Sequence, residues 1–435
     1  MNTSFKRTLG RACVYVLALS ASIDATHNTS RYLFLLEHPQ EYIIKKRSHI
    51  IPEIFYISAS TAHRQNRGSG GIPIIWGEYN LKNVISSVQI VSGNTDPIFA
   101  LINTLGYNNK DIVFRVDSKI RGIGLYLNWE QELHLGGLQV GATLPVMSMS
   151  TNLNYAFDRY HGSDQALFQS SALTPQQKYI QDLNIDIIRR RISQLSGVAG
   201  NVWSKGGFGD LDLHVRWNHI FDHVVLTKSI DINFQLGTTV PTGLQTDINY
   251  PSSIPFGNNG FWTLYGDFVT EIELKQDYTF GFMLGFVGMF SDQRTLRVSV
   301  ADEPTIFSAL TIPVRISPGF SFKASPYFTL GNLSDGLDFQ LRYTYLHHNK
   351  DRWTDLRSNQ VPASYLATPS LVGQKENLSE WQASYITFNL SYDIKEAMNR
   401  HFTFDPKIFA MYDMPIGGRG FVKTYQFTVG AELHF

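Results

Sequence analysis

The chain has 435 residues and a formal charge of zero, with 43% apolar, 13% aromatic and only 17% charged residues. Nothing in this balance suggests a nucleic-acid partner, and so few charges beside so many aromatics are unusual for a soluble enzyme. Cys13 is the single cysteine, which excludes an internal disulfide and any Cys-based zinc site.

The N-terminus reads as an export signal. Lys6, Arg7 and Arg11 form a basic region, Ala12 to Ile23 is short and mostly apolar, and Ala21 and Ala25 offer small residues for cleavage. Cleavage after Ala25 is expected, with Ala21 second. The apolar run falls short of the roughly 20 residues that a membrane-spanning helix needs. Loss of residues 1–25, with Lys6, Arg7, Arg11 and Asp24, removes Cys13 and leaves a charge of about −2.

Residues 26–110 show no clean period and are read as a periplasmic segment or a plug within the lumen; the alternative gives this region two more strands. From Asp111 the period becomes two. Asp111 to Asp117 is expected as a strand, with a short connection at 118–121. Ile123, Leu125, Leu127 and Trp129 then alternate with polar or small residues, and a Gly136-Gly137 turn leads to Leu138, Val140, Ala142 and Leu144.

A long insertion, Met147 to Gly206, contains Thr174-Pro175-Gln176-Gln177, which has the N-cap, first-turn proline and capping-box glutamine of a helix start. Ile180, Leu183, Ile187, Ile188, Ile192 and Leu195 continue it at helical spacing. Such a helix would cap the barrel mouth as a lid on neighbouring loops, or lie on the outer leaflet with Arg189, Arg190 and Arg191 against lipid phosphates.

Alternation resumes at Leu211, Leu213, Val215 and Trp217 and again at Ile230, Ile232, Phe234 and Leu236. Further strands are expected at Trp262 to Leu274, Tyr278 to Phe290, Val314 to Leu330, Leu337 to His347, Ser384 to Asp393 and His401 to Asp413. The last, Gly420 to Phe435, has Tyr425, Phe427, Val429, Ala431 and Leu433 on one face and ends on an aromatic ring. Chains that end this way resemble bacterial outer-membrane β-barrels, in which the barrel assembly machinery reads the final aromatic, here Phe435.

The fold class is therefore an all-β antiparallel up-and-down transmembrane barrel of about 12 strands, with 14 as the alternative, occupying 111–435. With Phe435 at the periplasmic rim, the connections near 132–137, 220–227, 275–277, 331–336 and 394–400 all fall on that side and are short. Those at 147–206, 241–260, 291–312 and 349–383 fall outside and are long, leaving two short external ones near 118–121 and 414–419. This is the asymmetry of outer-membrane barrels.

Gly207-Phe208-Gly209-Asp210 opens one strand, and Val240-Pro241-Thr242-Gly243 closes its partner. These resemble the GxGD and LPTG signatures of phenol-degradation-pathway outer-membrane transporters, within the wider class of the long-chain fatty-acid transporter. Leu144-Pro145-Val146 ends an earlier strand in a similar way. The resemblance implies passive uptake of small hydrophobic or aromatic solutes, with outer-membrane lipid as surroundings and no cofactor. Two departures stand: the N-terminal Asn-Pro-Ala of the fatty-acid transporter is echoed only by Asp96-Pro97-Ile98, and that class has fourteen strands.

Alternation turns Asp212, His214, Arg216, Asp231, Asp267, Glu271, Lys323, Asp338 and Arg342 inward, together with Met283, Val287 and Met289 of a strand that is apolar on both faces. Both signs of charge are present, so neither anions nor cations are favoured, and pairing among these groups competes with contact to a solute. A rival reading takes Asp210, Asp212 and His214 as a hydrolase's acid/base group; another is a structural or adhesive barrel. No dinucleotide, phosphate-loop, serine-hydrolase or zinc-protease motif is present, and His347-His348 reads as rim decoration rather than a metal site.

Overall fold

The computed structural model describes residues 30–32, 48–66, 68–93, 95–133, 136–161, 174–222, 227–274, 277–357, 372, 376–394 and 405–434; the expected export signal and Phe435 lie outside them. Twelve antiparallel strands close into a barrel. The first four wall strands are β1 (Ser48–Ala59), β2 (Asp111–Glu132), β3 (Leu138–His161) and, after a short β4 (Val202–Phe208) that pairs only with β3, β5 (Leu211–Asp222). They are followed by β6 (Ser229–Val240), β7 (Thr263–Glu273) and β8 (Tyr278–Met289). Beyond β9 (Asp292–Arg297) and β10 (Thr311–Ser317) come β11 (Ser321–Ser334) and β12 (Leu337–His348). After β13 (Arg352–Asp355), the wall finishes with β14 (Trp381–Asp393), β15 (Asp405–Arg419) and β16 (Tyr425–His434). β9, β10 and β13 form a separate three-stranded sheet.

Closure depends on β1. It pairs with the last strand on one side, His49 opposite His434, and with β2 on the other, Ser48 opposite Gln131. The barrel therefore begins at Ser48, not at Asp111, and 26–110 is not a single periplasmic or plug segment. Its described parts lie in three places: Ser30–Tyr32 at the mouth, Ser48–Ala59 in the wall, and 62–110 in an outer cap.

The count of twelve holds although two expected strands are drawn differently. Asp111–Asp117 and Ile123–Trp129 belong to one continuous 22-residue strand, so no turn exists at 118–121. Val314–Leu330 is broken at Pro318-Gly319, its first part joining the outer sheet and its second the wall. One strand lost by merging is replaced by β1.

The two faces are sorted as a membrane barrel requires. On β5, Asp212 is 3% exposed and its neighbour Leu213 is 42% exposed. Ile54, Leu125, Val215, Phe234, Leu264, Leu341, Leu390 and Val429 form an outward apolar band. Aromatic residues flank it, with Trp129, Trp217 and Tyr278 toward one rim and Trp262, Phe290, Phe320 and Tyr425 toward the other. The rim at His434 carries the five short connections, none longer than the eleven residues between β14 and β15, and is called the inner rim. Tight geometry there is supplied in part by Asp277 and Asn332, both with left-handed backbone.

All long insertions stand at the opposite, outer rim. β2 and β3 continue past the wall there and carry the helices α1 (Leu81–Ser92), α2 (Ile98–Leu105) and α3 (Pro175–Leu195). Asn80 caps α1 by accepting the Lys82 N–H at 3.1 Å, and Gly106 ends α2 in the left-handed region. Leu81, Val84, Ile85 and Val88 of α1 pack with Ile185, Ile188 and Ile192 of α3 and with Phe114, Leu153 and Phe307 in one core. α3 is thus a lid packed on its neighbours. Arg189 is buried over the Tyr155 ring at 4.0 Å and paired with Asp186, the exposed Arg190 pairs with the same carboxylate, and Arg191 is paired with Asp96. Asp96-Pro97-Ile98 is the start of α2, where Asp96 accepts the Ile98 N–H at 3.0 Å.

A charge placed on the apolar band tests the orientation of the wall. Leu125 lies opposite Ile54 and Val146 near mid-barrel. Leu125→Arg is expected to cost about 2–4 kcal/mol in urea unfolding from lipid vesicles, and a cost near zero would mean that this face does not meet hydrocarbon.

Candidate functional site at the outer mouth

The wall directs two different interiors. In the inner half the strand period turns charged groups inward, where they satisfy each other. His214 lies between two carboxylates, Nδ1 at 2.8 Å from Asp212 and Nε2 at 3.3 Å from Glu130. Arg216 donates to Glu130 at 2.7 Å and to Gln235 at 2.7 and 2.9 Å, and Tyr265 donates to Asp212 at 2.8 Å. Asn218 donates to Asp231, Tyr327 to Glu271, Arg342 to Thr387 and Thr387 to Asp413. Lys323 stands 3.8 Å from Asp267, and Lys407 pairs with the half-buried Asp338 at 3.0 Å near the inner turn.

All the inward residues expected from the sequence face inward, including Met283 and Val287, which are fully buried against Tyr327 and Tyr265 respectively. Glu130, Gln235 and Tyr265 complete the network; their alternation on β2, β6 and β7 was the available signal. Paired groups in a low-dielectric interior hold one another, so this layer is a cross-braced support.

The outer half is apolar. Phe55, Ile57 and Ala59 of β1, Met147 and Met149 of β3, and Trp203 of β4 meet Ile254 and Phe256, which hang inward from the connection 241–262. The glycine motifs fix that connection. The Asp210 carboxylate accepts the N–H of Gly243 at 2.9 Å and of Asn258 at 2.6 Å. The Thr242 hydroxyl donates to the Gly209 carbonyl at 2.8 Å and accepts the Leu211 N–H at 3.0 Å. A side chain at Gly209 would run into Pro145 and the Phe256 carbonyl, which explains the glycine there. Gly207-Phe208-Gly209-Asp210 and Pro241-Thr242-Gly243 are therefore two halves of one clasp.

This clasp separates Asp210 from the hydrolase group suggested by sequence. Its oxygens are occupied by backbone amides, whereas Asp212 and His214 bond to each other within the buried network.

Above the clasp lies a cavity of about 210 Å³. Its aromatic walls are Tyr32, Trp76, Tyr250, Phe261, Trp353 and Trp381, and its polar points include Asn258, Arg297, His348 and Asp351. Arg297 joins the surrounding parts: it donates to the carbonyls of Ser196 and Gly197 after α3, to Ser308, to Asn249 and to Ile248. The N-terminal residues form one wall. Arg31 donates to the carbonyls of Leu378 and Ser379 at 2.6 and 2.7 Å and lies 4.5 Å over the Trp76 ring, while Trp76 donates to the Tyr32 hydroxyl at 2.6 Å. Burial lowers the Arg31 pKa to about 10 against the opposing pull of Tyr32 and Asp351, so it stays charged at neutral pH.

Burial alone pushes the Asp351 carboxyl upward. The bond from His348 at 3.0 Å, the Gly319 N–H at 2.8 Å and the Arg31 charge outweigh it and hold Asp351 below its ordinary value. Of this cavity, the sequence pattern pointed to Met289, as an inward apolar residue, and to His348, as rim decoration. Its residues come from connections far apart in the chain and share no local period.

An antiparallel barrel with an apolar outer band, aromatic girdles and a polar interior has the build of a membrane-spanning barrel. The chain is a transmembrane β-barrel. No known family and no curated protein matches its sequence. Among solved structures it is similar to an outer-membrane channel from Pseudomonas putida F1, at 8% identity over 92% of this chain and 100% of that one, with a TM-score of 0.49. The translocator domain of the autotransporter NalP from Neisseria meningitidis is matched at 9% identity over 90% of each chain, with a TM-score of 0.34. A deletion mutant of the TodX monoaromatic hydrocarbon channel is matched at 8% identity over 96% and 97%, with a TM-score of 0.35. At these scores the barrel rests on its own strand pairing.

Two outcomes test the clasp and the mouth. Asp210→Asn is expected to lower unfolding stability by about 1.5–3 kcal/mol, read as a lower urea midpoint, because two amides lose a charged acceptor. For Asp351 the folded value lies below the ordinary carboxylate value of about 3.9. Its contribution is therefore complete above that pH and is lost as pH falls through the lowered value. The difference in thermal midpoint between the wild type and Asp351→Asn should still be present at pH 5 and shrink below about pH 4.

Proposed function

We propose that the protein is a passive uptake channel for small apolar or aromatic molecules, which it captures in the outer-mouth cavity. The observation that carries this reading is the cavity itself: a ring of six aromatic side chains with a few polar points, held over the lumen by connections that fold inward. Sites for small molecules have this composition. A cavity of 150 Å³ suffices for benzene in a protein interior, so about 210 Å³ admits a molecule with one aromatic ring. The charged layer beneath does not favour ions of either sign, because its members pair internally.

The resemblance of the clasp motifs to phenol-pathway and fatty-acid transporters supports the same reading, with the motifs acting through the shape of the mouth. The proposed surroundings are outer-membrane lipid, and Phe435 is the residue proposed to be read by the barrel assembly machinery. Residues 1–25 are proposed as the export signal.

Uptake of toluene and of a sugar of similar mass into liposomes bearing the purified protein separates the alternatives. Aromatic flux well above sugar flux is expected. No flux above empty vesicles sinks the channel reading and leaves a structural barrel. Trp353→Ala removes one aromatic wall and is expected to weaken aromatic binding roughly 2- to 10-fold, corresponding to about 0.5–1.5 kcal/mol, measured by quenching of the remaining tryptophans. Hydrolysis of an ester or peptide that is lost in Asp212→Asn would instead favour the enzyme.

A further inference from the structure

At the inner rim, far from the mouth, two histidines and a carboxylate meet where the barrel closes. His49 of β1 and His434 of β16 are direct cross-strand partners. Glu432 precedes His434 by two residues and so shares its inward face. All three are buried, and one ligand atom from each lies within 4.8 Å of the others. His434 Nε2 is 3.3 Å from Glu432 Oε1, and the two imidazole rings sit 5.7 Å apart at 66°.

We infer that His49, Glu432 and His434 form a binding site for a divalent transition-metal ion, with zinc the best fit, that staples the first strand to the last. Two imidazoles and a carboxylate are a recognised zinc donor set, and bonds of 2.0–2.2 Å place tetrahedral ligands about 3.3–3.5 Å apart. Glu432 and His434 already have that spacing, and a small turn of the His49 ring brings in the third donor. The fourth position falls to water, since the Glu130 Oε2 that lies 3.7 Å from His49 Nε2 is held by Arg216.

The nearby cations each have a carboxylate partner. Arg216 is bonded to Glu130, and Lys407, in register with Glu432, is paired with Asp338. The place also needs a fastening. The β1–β16 ladder pairs at Ile50–Leu433 and next at Glu53–Gly430, with Pro52 between, and proline has no N–H to contribute. A metal bridging residues 49 and 434 would lock the seam beside this gap.

Zinc chloride titrated calorimetrically into the full-length refolded barrel after EDTA treatment tests the site. One equivalent should bind at pH 7.5, raise the temperature of the heat-modifiable gel shift, and be reversed by EDTA. Binding should weaken as the pH is lowered, because protons compete with the metal for the imidazoles, and weaken at least about tenfold in His49→Gln and in His434→Gln. Should either variant not fold, Co²⁺ binding to the wild type still decides: four-coordinate visible bands that EDTA removes support the site, and their absence counts against it. Absence of stoichiometric binding to the folded wild type, or binding undiminished in a folded His49→Gln/His434→Gln protein, overturns it.

Discussion

Within a bilayer the backbone has no water to bond, so every N–H and C=O of a spanning sheet must find a partner in the sheet itself. For this chain the requirement falls on Ser48–Ala59, which must lie between the last strand and Asp111–Glu132 for the wall to have no free edge. Once the wall is closed, the inner rim has room only for short connections and the insertions collect on the outer side. Alternation then gives each strand one face for lipid and one for the interior. Cap, clasp, cavity and charged layer are arranged on that frame.

Much of the wall is legible because period two survives wherever lipid meets one face and charge the other. Asp212-Leu213-His214-Val215-Arg216 is such a stretch, and its orientation is the expected one. The signal fails where the interior is itself apolar. Phe55 and Ile57 face inward against the mouth core while Ile54 and Tyr56 face lipid, so Ser48–Ala59 loses its contrast, and Pro52 further disguises it. Of the cap helices α3 was expected and α1 was within reach: Asn80 as a cap, followed by Leu81, Val84, Ile85 and Val88, is a helical spacing hidden by the irregular sequence around it. Alternation gives direction to Arg216 and Glu130 but not their pairing, which depends on strand register. The cavity is the least legible feature, since Tyr32, Trp76, Tyr250 and Trp353 come together only through tertiary structure.

The clasp shows how a short motif can serve a binding site without touching a solute. Asp210 ties down Gly243 and Asn258, at the two ends of a connection that carries Tyr250 into the cavity and Phe256 into the core. Losing the carboxylate would leave the aromatic groups present and their placement unsupported. The charged layer below plays a comparable role from the other side: by bonding within itself it makes a firm floor beneath an apolar mouth. Binding and support are thus assigned to different chemistry at different depths.

The hairpin of β2 and β3 has 22- and 24-residue arms, against the roughly 9–11 residues that a tilted strand needs to span hydrocarbon. At about 3.3 Å per residue, the excess on each arm is roughly 36–50 Å. It acts as a cantilever rooted in the wall, with α1, α2 and α3 mounted along its free length. Bending such a beam would break many cross-strand bonds at once, whereas the connections at 241–262 and 298–310 are held by a few side chains such as Asp210 and Arg297. Compliance at the outer end therefore belongs to those connections, and the cap moves with the barrel as its fixed superstructure.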